Sequence, residues 1–424
     1  MLIEFRLRNY CCFREEQVLS MVASSDTLHP ENVIEPIWSG NPRLLRSAAI
    51  YGANGSGKTK LLEAFNFLDR FVSSSFLSKP QARIRTHPFI FDEKSKELPT
   101  DFEVIFIKDN IKYQFGFSVD TKRVFHEWLF GWPNGRQSKF YERIWENDKK
   151  EYKYSWGDTL KGEKESIRKR TRENSLFLTA AAINDHPQLK TVYEWFTPGL
   201  RGWSSNEVPL PVVAEILQKA EYKAQLIKML QAADLSIEDF SIKEEDLRIT
   251  KNTPSEIKAI LSSIPEDRRK HFRVTMYHKL SNGQLIGLDL NAESEGTKRF
   301  FGICAAIIQA LEDGGIIYVD ELDASLHPLL SRAIIQTFHN PQVNCRNVQL
   351  IFNTHDTTLL DPDLFRRDQV WFVEKKPDYA SILYSLAEFS PRREEALAKN
   401  YLQGRYGAIP FIGGLANEWN IGGC

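Results

Sequence analysis

Gly52-Ala-Asn-Gly-Ser-Gly57-Lys58-Thr59 has the composition and spacing of a phosphate cradle, GxxxxGK[ST] at every fixed position. Gly52, Gly55 and Gly57 let backbone N–H groups converge on phosphate oxygens, and a helix starting after them adds partial positive charge. Lys58 is placed to reach the β- and γ-phosphates of a nucleoside triphosphate, ATP by default, and Thr59 to hold Mg²⁺. Asn54, Ser56 and Lys60 complete the set expected to face the nucleotide. A glycine-rich turn with a chance Lys-Thr is the bland alternative. The flanks argue against it: Ser47-Ala-Ala-Ile-Tyr51 reads as a short buried strand, and Lys60 to Leu68 carries apolar residues at helical spacing.

Three further clusters belong with this loop. Gly315-Ile-Ile-Tyr-Val-Asp320-Glu321 is an apolar strand ending in two acids. Asp320 could bind Mg²⁺ through water, and Glu321 could orient and polarise an attacking water. Alone, such a strand ends in solvated acids; a phosphate loop upstream reverses that preference. Gln349-Leu-Ile-Phe-Asn-Thr-His355 is a second buried strand, separated from the first by room for one crossover helix, Leu329 to Phe338. Parallel neighbours would then bring His355 to the same edge, where it could donate to a γ-phosphate. Ser294-Glu-Gly296-Thr297 precedes a strong helix from Lys298 to Leu311. Ser294 and the Gly296 amide could form an anion site there, although an ordinary N-cap is the preferred reading of that motif alone.

Positioning these groups requires a substantial scaffold. The chain has 424 residues, enough for two or three lobes. Ile3, Phe5 and Leu7 alternate with charged residues as a half-exposed strand, and β-rich runs follow at 102–107, 111–119 and 124–130, with turn signals between them. From Leu160 to Ala233 the pattern becomes helical, with amphipathic stretches at 212–217 and 224–230; strand-like runs resume at 237–249 and 272–280. The expected division is an N-terminal lobe over 1–159, a mainly helical insertion over 160–280, and a C-terminal lobe over 281–424. Tyr401 to Pro410, rich in glycine and aromatics, reads as a packed turn.

Net charge is −1, so no global field attracts nucleic acid. Arg168-Lys-Arg170-Thr-Arg172 is the obvious basic run, and a solvated charged helix is its favoured reading over a phosphate-contacting patch. Five cysteines without a CxxC pair suit a reducing compartment, and no apolar run is long enough to span a membrane, so the expected location is cytoplasmic.

The order of motifs resembles the ABC-type P-loop ATPases of the SMC and RecF group, and within it the OLD-related, RloA-like ATP-binding proteins of bacterial phage-defence and abortive-infection systems. The opening Phe5-Arg-Leu-Arg-Asn-Tyr10 and the tail Tyr401 to Pro410 share the likeness; the helical middle shares little. The resemblance implies an α/β fold with a mixed central sheet flanked by helices, an antiparallel β subdomain and a helical insertion. It makes Gly52–Thr59 Walker A, Ile316–Glu321 Walker B with Glu321 catalytic, and Ser294–Thr297 a signature lacking the usual double glycine. Asp323 becomes the D-loop residue and His355 the switch histidine. The glutamine loop is hard to place; Leu176–Asn184 occupies a plausible position, with Asn184 as a substitute. The resemblance also implies a head-to-tail homodimer in which the signature of one copy completes the ATP site of the other. The segment after His355 is too short for the Toprim nuclease of OLD-type proteins, so any effector, a nuclease among the candidates, is expected to be a separate protein. The alternatives are a DNA-repair ATPase acting directly on DNA and an ATP-locked scaffold with little turnover.

Overall fold

Alternating burial explains the first sheet of the protein. Phe5 and Leu7 are fully buried while Arg6 and Arg8 face outward to Glu4 and Asp101. The computed structural model describes residues 1–36, 40–197, 199–203, 210, 213–214, 217–233, 235–246, 270–392 and 395–410. Strand Leu2–Arg8 pairs antiparallel with Gln17–Ser20 on one side and Thr100–Lys108 on the other. Ile111–Val119, Val124–Gly131, Ser138–Glu146 and Glu151–Trp156 extend the sheet as a meander of seven strands in all. Asp109 and Asn110 both take positive φ at the first hairpin turn, as a tight two-residue hairpin requires.

The second sheet carries the phosphate loop. Its order is Leu200–Trp203, Ile316–Val319, Gln349–Asn353, Ser47–Tyr51, Val370–Lys375, Ser381–Ser385. All neighbours are parallel except the final hairpin. Continuous apolar runs such as Ile316–Val319 suit strands covered on both faces. The crossover helix Pro328–His339 buries Ile334, Ile335 and Phe338 and links the acid-ended strand to the histidine-ended one. Gln349 ties this sheet to the first: its side chain accepts from Leu2 N (2.5 Å) and donates to Leu2 O (3.1 Å). Together these give the expected α/β architecture, a mixed sheet beside an antiparallel β subdomain.

The chain divides into two compact units, but not at the boundaries expected from composition. The first comprises Met1–Trp203, Asp313–Asp323 and Ser331–Cys424, the second Ser204–Glu312 and Ala324–Leu330. Residues 160–203 thus belong with the first unit, because Leu176, Phe177 and Leu178 enter its core and Leu200–Trp203 joins its sheet. Among the described residues of 160–280, strands stand beside the expected helices. In the second unit Ile237–Asp246, Lys270–Lys279 and Leu285–Asp289 form an antiparallel sheet. Phe240 from this sheet meets Phe301 of helix Glu295–Asp313 edge-on at 5.2 Å. Helix Ala220–Ala232 buries Leu226 and Leu230 as its amphipathic pattern predicts. The stretch expected at 212–217, the end of the run at 237–249 and Cys424 lie largely or wholly outside the described residues.

A buried ion pair fastens residues 172–178 to the first sheet. Glu127 and Arg143 are both fully buried. The Glu127 carboxylate accepts from Tyr141 Oη (2.7 Å), Phe177 N (2.7 Å) and Leu178 N (2.9 Å), capping the short helix Phe177–Ile183. Arg143 donates to the carbonyls of Ser175 (2.6 Å) and Arg172 (2.9 Å). Removing one partner strands the other charge without water. Glu127→Ala is therefore expected to cost about 3–5 kcal/mol in urea unfolding; a loss below about 1 kcal/mol would contradict this account of the network.

Candidate nucleotide site

The phosphate loop leaves strand Ser47–Tyr51 and enters helix Lys58–Ser74. Gly57 is the helix N-cap at φ 115°, and a Cβ there would lie 2.5 Å from Cys12 Sγ. Only glycine meets both constraints. The cap offers no side-chain acceptor, so the first helical N–H groups are open to an anion. Lys58 Nζ folds back over the loop and donates to Gly52 O (2.7 Å) and Ala53 O (3.1 Å). Burial pulls the Lys58 pKa down to about 8, against the nearby Glu321, Asp320 and Asp323 carboxylates.

Parallel pairing brings the two acids and the histidine to this loop. Thr59 Oγ1 donates to Asp320 Oδ1 at 3.1 Å. Asn353, at the end of the middle strand, donates from Nδ2 to the same carboxylate oxygen (2.5 Å) and accepts from Glu321 N through Oδ1 (2.5 Å). One amide thus bridges both acids. Glu321 holds a left-handed backbone, φ 50°, a conformation costing about 1–3 kcal/mol for a residue with a side chain and typical of functional turns. Asp323 accepts the His355 backbone N–H at 3.3–3.4 Å. Desolvation and the Lys58 charge hold the His355 imidazole below its ordinary pKa, against the pull of Asp323, Glu321 and Asp320.

These groups open on a cleft of about 1090 Å³ lined by Asn54, Gly55, Gly57, Lys58, Thr59, Lys60, Glu321, Asn353 and His355. Lys60 is engaged by Glu63 at 2.7 Å. Ser56 sits beneath the loop, its backbone oxygen accepting from Ser381 Oγ at 2.5 Å. Gly52 packs against Val373 O, which a Cβ would approach to 2.4 Å. Ser294 and Gly296 belong to the second unit. There Ser294 Oγ accepts from Thr297 N (3.1 Å), the bond of an N-cap, and Gly296 lies so close to Ser325 O that a Cβ would come within 2.7 Å.

Asn184 is not part of the cleft. Its Oδ1 accepts from Arg170 Nη1 (2.9 Å) and its Nδ2 donates to Ala180 O (2.7 Å), while Leu176–Ala182 is buried in the core. Leu176–Asn184 therefore does not serve as a glutamine loop. The arginines of the basic run are also committed locally, whereas Lys169 is exposed. Arg168 pairs with Glu165 at 2.9 Å, Arg170 with Asn184, and Arg172 donates to the Phe76 carbonyl. Cys11, Cys12, His87, Ile90 and Phe91 line the cleft and escaped the sequence reading. Burial pushes the Cys11 thiol up to about 11, so it stays protonated near neutrality.

The donor set suits Mg²⁺ held partly by a ligand. Thr59 hydroxyl and Asp320 carboxylate are hard oxygen donors already in contact. Among the described residues no group of three or more His, Cys, Asp or Glu could hold a metal. Substrate phosphates and water would complete its shell. No helix among the described residues is long and apolar enough to cross a membrane.

Residues 47–361 match the family described as "AAA domain, putative AbiEii toxin, Type IV TA system". The chain belongs to this family and is a P-loop ATPase. No curated protein matches it. Among solved structures, the SMC head domain from Thermotoga maritima is 11% identical, with 91% of this chain and 98% of that chain covered at a TM-score of 0.38. The Smc head domain with an extended coiled coil bound to the C-terminal domain of ScpA, from Pyrococcus furiosus, is 11% identical, with 96% and 99% covered at 0.41.

Two outcomes follow. Asn353→Leu removes the bridge between Asp320 and Glu321, and turnover is expected to fall about 10–100-fold while ATP affinity moves less than about threefold; unchanged kcat would refute the bridging role. Without ligand, Lys58 loses its proton above about 8. Phosphate favours the charged form, so ATP binding takes up a proton there, and affinity should fall as pH rises from 8 to 10, by up to about tenfold per unit. Titration with a fluorescent ATP analogue at pH 7, 8, 9 and 10 checks this; a flat profile would contradict it.

Proposed function

We propose that this ATPase works as a homodimer in which each copy completes the other's site, and that dimer closure regulates a separate effector in an anti-phage defence system. The observation carrying the hydrolytic part of this reading is the Asn353 bridge, which draws Asp320, Glu321 and Thr59 into one array beside Lys58. In this reading Lys58 and the loop amides bind the β- and γ-phosphates of ATP. Glu321 takes a proton from the attacking water, and the neutral His355 donates to the γ-phosphate. Asp323 positions His355 through its backbone N–H. A Mg²⁺ held by Thr59 and Asp320 would neutralise phosphate charge when bound.

Ser294 is exposed at the start of a 19-residue helix, and Gly296 lets the backbone pass close to Ser325. These features suit contact with a phosphate presented by a second copy. The family description, with its toxin–antitoxin context, supports a two-component system in which the ATPase controls a partner.

Glu321→Gln keeps the carbonyl acceptor but removes the base. The expected result is retained ATP binding, turnover reduced at least about 10²-fold, and a dimer that persists with ATP in sedimentation. Steady-state hydrolysis near the wild-type rate would sink the assignment of Glu321.

A further inference from the structure

We propose that a groove beside the nucleotide cleft, rimmed by Arg70, Arg83 and Arg85, binds single-stranded nucleic acid. The groove encloses about 420 Å³, and Glu63 and His87 line both it and the nucleotide cleft. All three arginines are exposed, and among the described residues none of their guanidinium groups makes a hydrogen bond or an ion pair. Glu63, the carboxylate in the lining, is held by Lys60. The groove therefore presents an excess of positive charge, with the Asp69 carboxyl in electrostatic reach of Arg70, on a protein with net charge −1.

The backbone builds this rim. From Arg83 to His87 burial alternates, with Ile84 and Thr86 buried and Arg83, Arg85 and His87 exposed. Ile84 N donates to Thr121 O (2.9 Å) and Thr86 Oγ1 to Thr100 Oγ1 (2.8 Å), which anchors the inward face. Asn174 Nδ2 donates to the carbonyls of Lys79 (3.1 Å) and Ala82 (3.0 Å), and Arg172 to that of Phe76. The basic run noticed in the sequence thus helps fasten the wall that carries the free arginines. Arg70 faces them from the phosphate-loop helix.

The floor supplies the second half of the chemistry. Phe67 and Phe71 are half-buried and stacked at 5.6 Å. Phe67 is itself stacked on Phe102 at 5.0 Å, so the groove is floored by the outer part of a packed aromatic cluster. Arginines lining a groove with half-buried aromatics suit a phosphodiester chain with unpaired bases, and the volume falls within the range of about 300–1,000 Å³ for small-ligand sites. An acidic peptide would satisfy the arginines but leave the aromatics uncovered. A duplex would satisfy them without offering base faces. The site goes beyond the ATPase reading and depends on no dimer.

The test uses the full chain and a fluorescein-labelled 20-nucleotide single strand, read by anisotropy from 50 to 200 mM salt. The variant is Arg70→Gln/Arg83→Gln/Arg85→Gln. The control, Lys149→Gln/Lys150→Gln/Lys153→Gln, makes the same charge change on the exposed hairpin of the first sheet. ATP-analogue binding verifies that each variant is folded. The expected result is salt-dependent binding that the arginine variant weakens at least about tenfold, with the slope of log K on log salt shallower by about 2 units; the control retains binding. A 20-residue polyglutamate and a duplex of the same length are expected to bind more weakly. Absence of binding at low salt, equal loss in the control, or equal affinity for polyglutamate or duplex would overturn the proposal.

Discussion

The parallel pairing of Gln349–Asn353 between Ile316–Val319 and Ser47–Tyr51 is the constraint on which the rest of the molecule depends. Strands paired this way finish at one edge, so Thr59, Asp320, Glu321 and Asn353 meet although up to 294 positions separate Thr59 from Asn353 (353 less 59). The same strand reaches backwards. Gln349 at its start exchanges hydrogen bonds with Leu2, locking the antiparallel sheet to the catalytic one. Behind the phosphate loop, Ser47 Oγ, His339 Nε2 and Gln369 Nε2 form a buried polar cluster, each contact between Ser47 and its partners being 2.8 Å. Burial drives the His339 pKa down to about 3, so the cluster is neutral and adds no unpaired charge. Buried polar groups satisfied in this way specify one register among several that apolar strands would tolerate.

What was legible from the sequence was local. The phosphate loop and the acid-ended strand are contiguous, and glycine, lysine and carboxylate at those spacings have few other uses. The tail was also readable: Tyr401 stacks on Phe372 at 5.4 Å and Tyr406 is buried, as a packed turn requires. Asn353 was not readable, because an amide at a strand end looks like any buried polar residue until the neighbouring strand is known. Cys11, Cys12 and His87 approach the cleft from remote segments, which spacing cannot reveal. Strand Ile237–Asp246 has a charge-rich end, and the helical stretches before it dominated the composition, so the middle of the chain was read as mainly helical. Charge counting also failed to separate Arg168, Arg170 and Arg172, which are spent on internal bonds, from Arg70, Arg83 and Arg85, which are not.

That distinction joins structure to function. A cation whose donors are bonded within its own chain has fewer left for a phosphate, whereas one with free donors remains available. The Glu127–Arg143 pair holds the Arg172–Leu178 segment, this segment holds the wall bearing Arg83 and Arg85, and Arg70 lies on the helix that begins at Lys58. The groove and the nucleotide cleft therefore share a helix and two lining residues, an arrangement suited to coupling one ligand to the other.

The central proposal is that ATP is hydrolysed between two copies, with Lys58 and Glu321 from one and Ser294 from the other. It is tested most directly by mixing two inactive chains, Lys58→Ala and Ser294→Arg. If each site draws on both copies, a mixed dimer has one intact site, and a 1:1 mixture regains about a quarter of wild-type ATPase activity. If each chain hydrolyses ATP by itself, mixing restores nothing, and the shared-site account is wrong.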